Sequence, residues 1–349
     1  MRIEHWICKQ RLLGVLPLSL FLFAIVSLTS ETANASTSKG NSQKIQLEDV
    51  SMINAHDGWA VEKDRTRVFH TNSSLPHWKN VTPAGLYLPI NDELNAITTY
   101  FFLDAKHAYL GVLQNGATSL LWTQDGGKTW TTVPFNISPF GISQITFLDA
   151  QHGWMTFDKD HGHGNYYIAL MNTHDGGKTW HTVFDMTPDT QSSLPEKGLK
   201  YFTFTSPHKG WVTGTEDFNA INARLYETLD GGKMWTRVSL PALPHGTYSY
   251  SYGPYFTNAY DGTLLVRYGF NPGAGTGYYL LNYRTSNGGK TWVAAGSALQ
   301  TNAPNEWRAQ SFRNAEQGWT LGVDSTSRSI LHRTTDGGRS WKTAHPTGL

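Results

Sequence analysis

Apolar and polar residues alternate with a period of two in short runs along most of this chain, as in Ile142–Asp149 (ISQITFLD) and Leu199–Ser206 (LKYFTFTS). Period-two alternation marks half-buried strands, and no segment carries a convincing helical period. A tight turn and a second strand follow each run, and the pair Gly-Trp recurs at the start of that strand. It reads AHDGWAV at Ala55–Val61, AQHGWMTF at Ala150–Phe157, PHKGWVTG at Pro207–Gly214 and AEQGWTLG at Ala315–Gly322. In two further copies Tyr109 and Thr263 stand where the tryptophan should be. After a variable loop and a third strand, an eight-residue box closes each unit. Strand, turn, strand, loop, strand, box, strand is a four-stranded antiparallel meander.

The box reads TQDGGKTW from Thr123, THDGGKTW from Thr173, TLDGGKMW from Thr228, TSNGGKTW from Thr285 and TTDGGRSW from Thr334. Its tryptophans, Trp130, Trp180, Trp235, Trp292 and Trp341, are 50, 55, 57 and 49 residues apart. A degenerate sixth copy, TNSSLPHW at Thr71–Trp78, lies 52 residues before Trp130. Short strands repeated at such a period predict the blades of a propeller rather than a helical solenoid. The expected fold is all-β, a six-bladed propeller with units near 45–80, 94–134, 142–184, 199–240, 253–296 and 306–345. Its ring should close by packing blade six against blade one, and Gln43–Leu47 is a candidate extra strand for the last blade.

Within the box, Asp125, Asp175, Asp230 and Asp336 can accept hydrogen bonds from amides a few residues on. The glycine pair supplies positive φ, and the tryptophan folds over the turn. Asn287 keeps an acceptor without a charge, so the position reads as structural rather than catalytic. This box resembles the Asp-box, or bacterial neuraminidase repeat. With the Gly-Trp strand upstream, the units are most similar to the photosystem II assembly and stability factor family of propellers. The resemblance covers nearly all of residues 45–345. It implies boxes on the outer rim, away from the axis, and a binding role toward a protein. Sialidases and other glycoside hydrolases share the box, so a sialidase-like hydrolase is the alternative that it leaves open.

The first residues change the picture of where the protein works. Arg2, Lys9 and Arg11 precede an apolar run from Leu12 to Leu28, and TANAS offers Ala33 and Ala35 for signal cleavage. Residues 1–35 therefore read as a signal peptide and 36–349 as one exported propeller domain, secreted, periplasmic or at the cell surface. An uncleaved anchor is the alternative, and any membrane contact would run through that segment. Cys8, the single cysteine, lies in the leader, so the mature chain has no disulfides. Removing the leader also takes Glu4 and Glu31 and leaves 25 charges of each sign, which gives no basic excess for nucleic acid.

Candidate chemistry lies in the loops opposite the boxes, where propellers carry function. Tyr248, Tyr250 and Tyr252 enter the fifth blade at alternate positions and could form a phenolic stripe; packing at the blade junction is the plainer reading. Trp307 and Arg308 precede the last innermost strand and are further ligand-binding candidates. Asp158, Asp160, His161 and His163 could ligate a metal, but their spacing matches neither an EF-hand nor a zinc motif and reads first as a solvated loop. No cofactor or metal is expected. A hydrolase would need a carboxylate pair, for which Glu216 or Asp217 with Glu306 is the candidate, or an arginine cluster, for which Arg65, Arg67, Arg224, Arg267 and Arg308 are available. No triad is identifiable among them, and a non-catalytic module binding a protein or glycan is the preferred reading.

Overall fold

The structure, a computed structural model, describes residues 47–344 apart from 74–76, 87–95, 138–139, 161–166, 187–193, 195–197, 215–222, 244–247, 270–277, 297, 302–308, 313 and 324–328. These residues form strands, turns and bends, with no helix among them. Blade one comprises β1 (Leu47–Met52), β2 (Asp57–Glu62), β3 (Val68–Asn72) and β4 (Lys79–Asn80). Blade two comprises β5 (Ala96–Phe102), β6 (Ala108–Gln114), β7 (Ala117–Thr123) and β8 (Thr131–Phe135). Blade three holds β9 (Ile142–Phe147), β10 (Gly153–Asp160), β11 (Tyr167–Thr173) and β12 (His181–Asp185). Blade four holds β13 (Leu199–Phe204), β14 (Gly210–Gly214), β15 (Leu225–Thr228) and β16 (Thr236–Arg237). Blade five has β17 (Tyr248–Phe256), β18 (Gly262–Gly269), β19 (Tyr278–Thr285), β20 (Val293–Ala294) and a fifth strand, β21 (Leu299–Thr301). Blade six has β22 (Ala309–Phe312), β23 (Gly318–Val323), β24 (Ser329–Thr334) and β25 (Lys342–Ala344).

Each sheet is antiparallel and built from consecutive strands, and the six sheets make a six-bladed β-propeller. First strands of neighbouring blades approach one another, β5 with β9, β9 with β13 and β13 with β17, which sets them at the centre. The extra strand falls in blade five, where β21 pairs with Tyr278–Leu280 beyond the end of β20. Of Gln43–Leu47, Leu47 opens β1 opposite Glu62 in blade one, and the remainder lies outside the described residues. Blade five begins at Tyr248, upstream of the expected 253, so the tyrosine-rich stretch is strand rather than loop.

The Gly-Trp pair is an interblade device. In β9 to β10 the pairing sets Phe147 opposite Gly153, and a Cβ on that glycine would sit 2.5 Å from the Phe147 ring. Gly210 under Phe204 and Gly318 under Phe312 repeat the arrangement at the same distance. The phenylalanine, laid flat over a bare backbone, offers its other face to the preceding blade. Trp154 stacks on Phe204 at 3.9 Å and 4°, Trp211 on Phe256 at 4.3 Å, and Tyr109 on Phe147 at 3.7 Å. Where Ala108 replaces the glycine, the added methyl leaves less room and Trp59 meets Phe102 with centroids 5.3 Å apart. The hydrophobic clusters accordingly bridge neighbouring blades: Trp59 and Val68 of blade one pack with Phe102 and Leu110 of blade two.

The box turn joins the third and fourth strands, at the same end as the turn between the first two. In blade two, Asp125 Oδ1 accepts from Lys128 N and Thr129 N at 2.9 Å, and Asp125 Oδ2 from the Thr129 hydroxyl at 2.6 Å. Thr123 Oγ1 donates to Asp125 and accepts from Gly127 N. The first glycine of each box donates its N–H to the first turn of its own blade, as Gly176 does to Gln151 O at 3.0 Å. The second glycine, at φ +80° in Gly127, lies so close to the preceding blade that a Cβ would strike Val81. In blade five Asn287 Oδ1 accepts from Thr291 N at 3.0 Å while its amide donates to the Thr291 hydroxyl at 2.8 Å, so the acid is replaced by reversing one hydrogen bond.

The Thr129 hydroxyl and N–H lead the groups that hold the Asp125 carboxyl at about 2, below its ordinary 3.8. For Asp175 and Asp336 burial pushes upward most strongly, but the hydroxyl and N–H of Thr179 or Ser340, with the hydroxyl of Thr173 or Thr334 and the amide of Lys178 or Arg339, together more than offset it and both fall to about 2. A carboxyl depressed in the folded state contributes fully above its unfolded pKa and loses that contribution as pH falls through the folded value. Stability should therefore decline between about pH 4 and pH 2. Asp175→Ala should cost ~1 kcal/mol or more in urea unfolding by stripping the acceptor from turn amides, and Asp175→Asn less than half of that. Ligand capture by the folded fraction should be unchanged in both. In blade four Met234 occupies the hydroxyl position and is 70% exposed, so Asp230 lacks that donor. Met234→Thr should supply it, stabilising by ~0.5–1 kcal/mol in the same assay.

Candidate binding face

Because the boxes and first turns share one end, the second turns and the crossovers between blades share the other. The buried Asp, Glu and Arg side chains among the described residues lie toward this open end: Glu62 closes β2, Asp158 sits near the close of β10, Arg224 precedes β15, and Arg267 lies in β18. Buried charges need partners or water, and the partnering is visible in blade one. Arg67 bridges Glu62 through Nε at 2.6 Å and through Nη2, while Arg65, at φ +58°, forks onto Glu48 at 2.8 and 2.5 Å. Arg65 O accepts from Ile97 N of blade two, and Tyr100 donates to Asp49 at 2.9 Å. Burial first, and then Asp49, pushes the Tyr100 phenol far above its usual range, so it remains a donor. Arg65 and Arg67 are thus tied to acids within blade one.

Blade five has a different character. The register of β17 with β18 sets Tyr250 opposite Arg267, and the guanidinium lies 4.5 Å from the centre of the Tyr250 ring. Arg267 is 8% exposed while Tyr250 is half-buried, so the cation is sunk in the sheet and the phenol is reachable. Such a stack holds both planes in place. Ser249 and Ser251, at the intervening positions, are buried, and Ser251 O accepts from the Thr213 hydroxyl of blade four. Elsewhere in this end of the blade Tyr268 stacks on Tyr279 at 5.4 Å, with the Tyr268 phenol raised by burial and then by Tyr279. The open end of blade five is therefore dense in aromatic rings around one buried cation.

Of the expected ligand-binding residues, β17 carries Tyr248, Tyr250 and Tyr252 at alternate positions, and the side chain of Tyr250 is the described one. Trp307 and Arg308 lie outside the described residues, as do His161, His163, Glu216, Asp217 and Glu306. Asp158 is buried in β10, opposite Ile168, and Asp160 ends that strand opposite Tyr167. Among the described residues no three metal-ligating side chains converge. The residue missed in the sequence is Arg267 as the partner of Tyr250. The chain alone carried no signal for it: regular pairing back from Phe256 opposite Gly262 would set Tyr250 opposite Tyr268, and the register shift between Tyr252 and Tyr255 sets it opposite Arg267 instead.

No protein-family model and no curated protein matches this sequence. Solved structures do. YCF48 bound to a D1 peptide is similar over 86% of this chain and 82% of that one, at TM-score 0.53 and 17% identity. The GH74 enzyme of Niastella koreensis is similar over 82% of this chain, which spans 43% of that chain, at TM-score 0.53 and 14% identity. An ulvan lyase bound to a glucuronate–rhamnose sulfate oligosaccharide is similar over 83% and 81%, at TM-score 0.51 and 12% identity. Identities this low carry the architecture alone: the chain is a six-bladed β-propeller whose fold resembles that of YCF48 and of glycan-degrading propellers.

Proposed function

We propose that this protein is an exported, non-catalytic propeller that captures a protein or glycan ligand at the open end, with blade five as its anchor. The observation that carries the reading is the half-buried Tyr250 held at 4.5 Å on the buried Arg267. A rigid aromatic ring offers a large contact area at little entropic cost, and aromatic and arginine side chains dominate binding energetics. YCF48, seen with a D1 peptide bound, is a fold-level precedent for peptide capture. The competing reading is a glycoside hydrolase, with the similar GH74 enzyme and ulvan lyase as its precedents. A pull-down and a glycan array on the mature chain, followed by assays on aryl glycosides and sialosides, separate the two. Capture that depends on Tyr250 supports the binding module. Turnover abolished by replacing Glu216, Asp217 or Glu306 sinks it.

A further inference from the structure

A cavity of about 590 Å³ opens between blades one and two, on elements that the open-end reading does not use. Its size is that of a small-ligand site, for which ~300–1,000 Å³ is usual. Val112 of β6 and Leu121 of β7 form an apolar floor, the segment from Val81 to Leu86 makes one wall, and the first box, Gly127 to Trp130, makes another.

Trp130 is what sets this box apart. In blades three, four and five the box indole donates to its own second glycine, Trp180 to Gly177 O, Trp235 to Gly232 O and Trp292 to Gly289 O, at 2.9–3.1 Å. Trp130 donates instead to Val81 O of blade one at 2.8 Å, and its ring is held half-buried on the cavity wall. Around it stand neutral hydrogen-bonding groups, with Asn80, Gln114 and Thr132 on the lining. Asn80 commits its oxygen to Thr82 N and Oγ1, at 2.9 and 2.7 Å, which leaves its amide nitrogen as a donor toward a ligand. Lys79 and Lys128 are exposed on the same lining, and among the described lining residues there is no Asp or Glu.

An indole wall, amide and hydroxyl groups, an apolar floor and two ammonium groups match a sugar ring that bears an acid. The apolar C–H face of a pyranose packs on the indole. Its hydroxyls exchange hydrogen bonds with amides, and its carboxylate meets the lysines in charge-assisted bonds. We propose that this groove binds a uronate-bearing segment of an acidic glycan. The proposal stands apart from the open-end reading, and either can fail without the other.

The test is calorimetric titration of the full mature chain with trigalacturonate, and with maltotriose as the neutral comparison. Trp130→Ala would also remove an indole that bonds Val81 O and packs on the core between blades one and two, so a double charge reversal at the exposed Lys79 and Lys128, each to Glu, carries the experiment. Trigalacturonate should saturate one site, and the reversal should weaken it by about tenfold or more while leaving the thermal midpoint near that of the parent. Tyr250→Ala should leave this binding unchanged. Failure of trigalacturonate to saturate, unaltered affinity in the double variant, or maltotriose bound as tightly as the uronate would each overturn the proposal. Groove binding that persists while no Tyr250-dependent ligand can be found would sink the open-end reading alone.

Discussion

Phe204→Ala should destabilise the protein by ~3–5 kcal/mol, the range for deleting a fully buried aromatic ring. Phe204 is fully buried, lies over the bare backbone of Gly210, stacks on Trp154 of the preceding blade and meets Trp235 of its own at 6.3 Å. Its removal leaves a cavity against two tryptophans at one blade junction, and rigid sheets on either side limit how far the site can collapse. Phe312→Ala is the internal control. Thr263 replaces the tryptophan in the blade before it, and the ring that Phe312 meets there is Tyr255, tilted at 6.5 Å. The control should therefore cost clearly less. Urea unfolding of both variants decides the matter: equal losses would mean that the stack across the junction is not the source of the stability.

The second large effect concerns capture. Truncating an aromatic anchor commonly costs ~2 kcal/mol, so Tyr250→Ala should weaken the ligand found by pull-down or array by about thirtyfold. Arg267→Lys should also weaken it, because lysine keeps the charge but cannot lie as a plane beneath the phenol. Trp307→Ala belongs in the same series on its position in the sequence alone. Glu216→Ala and Glu306→Ala should barely alter capture. A hydrolase would reverse the pattern, with an acidic variant that still binds substrate and no longer turns it over. Tyr250→Ala with full affinity, alongside normal unfolding, would remove blade five from the site.

The architecture was legible because a repeat states the same local instruction many times. Period-two alternation, a turn chemistry that demands paired glycines, and a tryptophan at near-constant spacing each pointed to the same meander, and six copies of it make six sheets. Even the neutral Asn287 could be read from the chain as a sign that the box needs an acceptor rather than an acid. Local hydrogen bonding is short in sequence, so a one-dimensional reading captures it.

What the chain could not show is which residues meet across blades. The Gly-Trp pair looked like a turn followed by a strand. Its glycine is needed because Phe147, Phe204 or Phe312 lies across it, and its aromatic partner serves a blade that starts some fifty residues further on. Tyr250 and Arg267 became neighbours only through the register of β17 on β18, and Trp130 donates to Val81 O of blade one, a residue 49 positions upstream, instead of to its own glycine. Turn geometry is set by adjacent residues and can be read along the chain. Interblade packing and strand register are set by contacts between distant segments, and those exist only once the sheets have closed on one another.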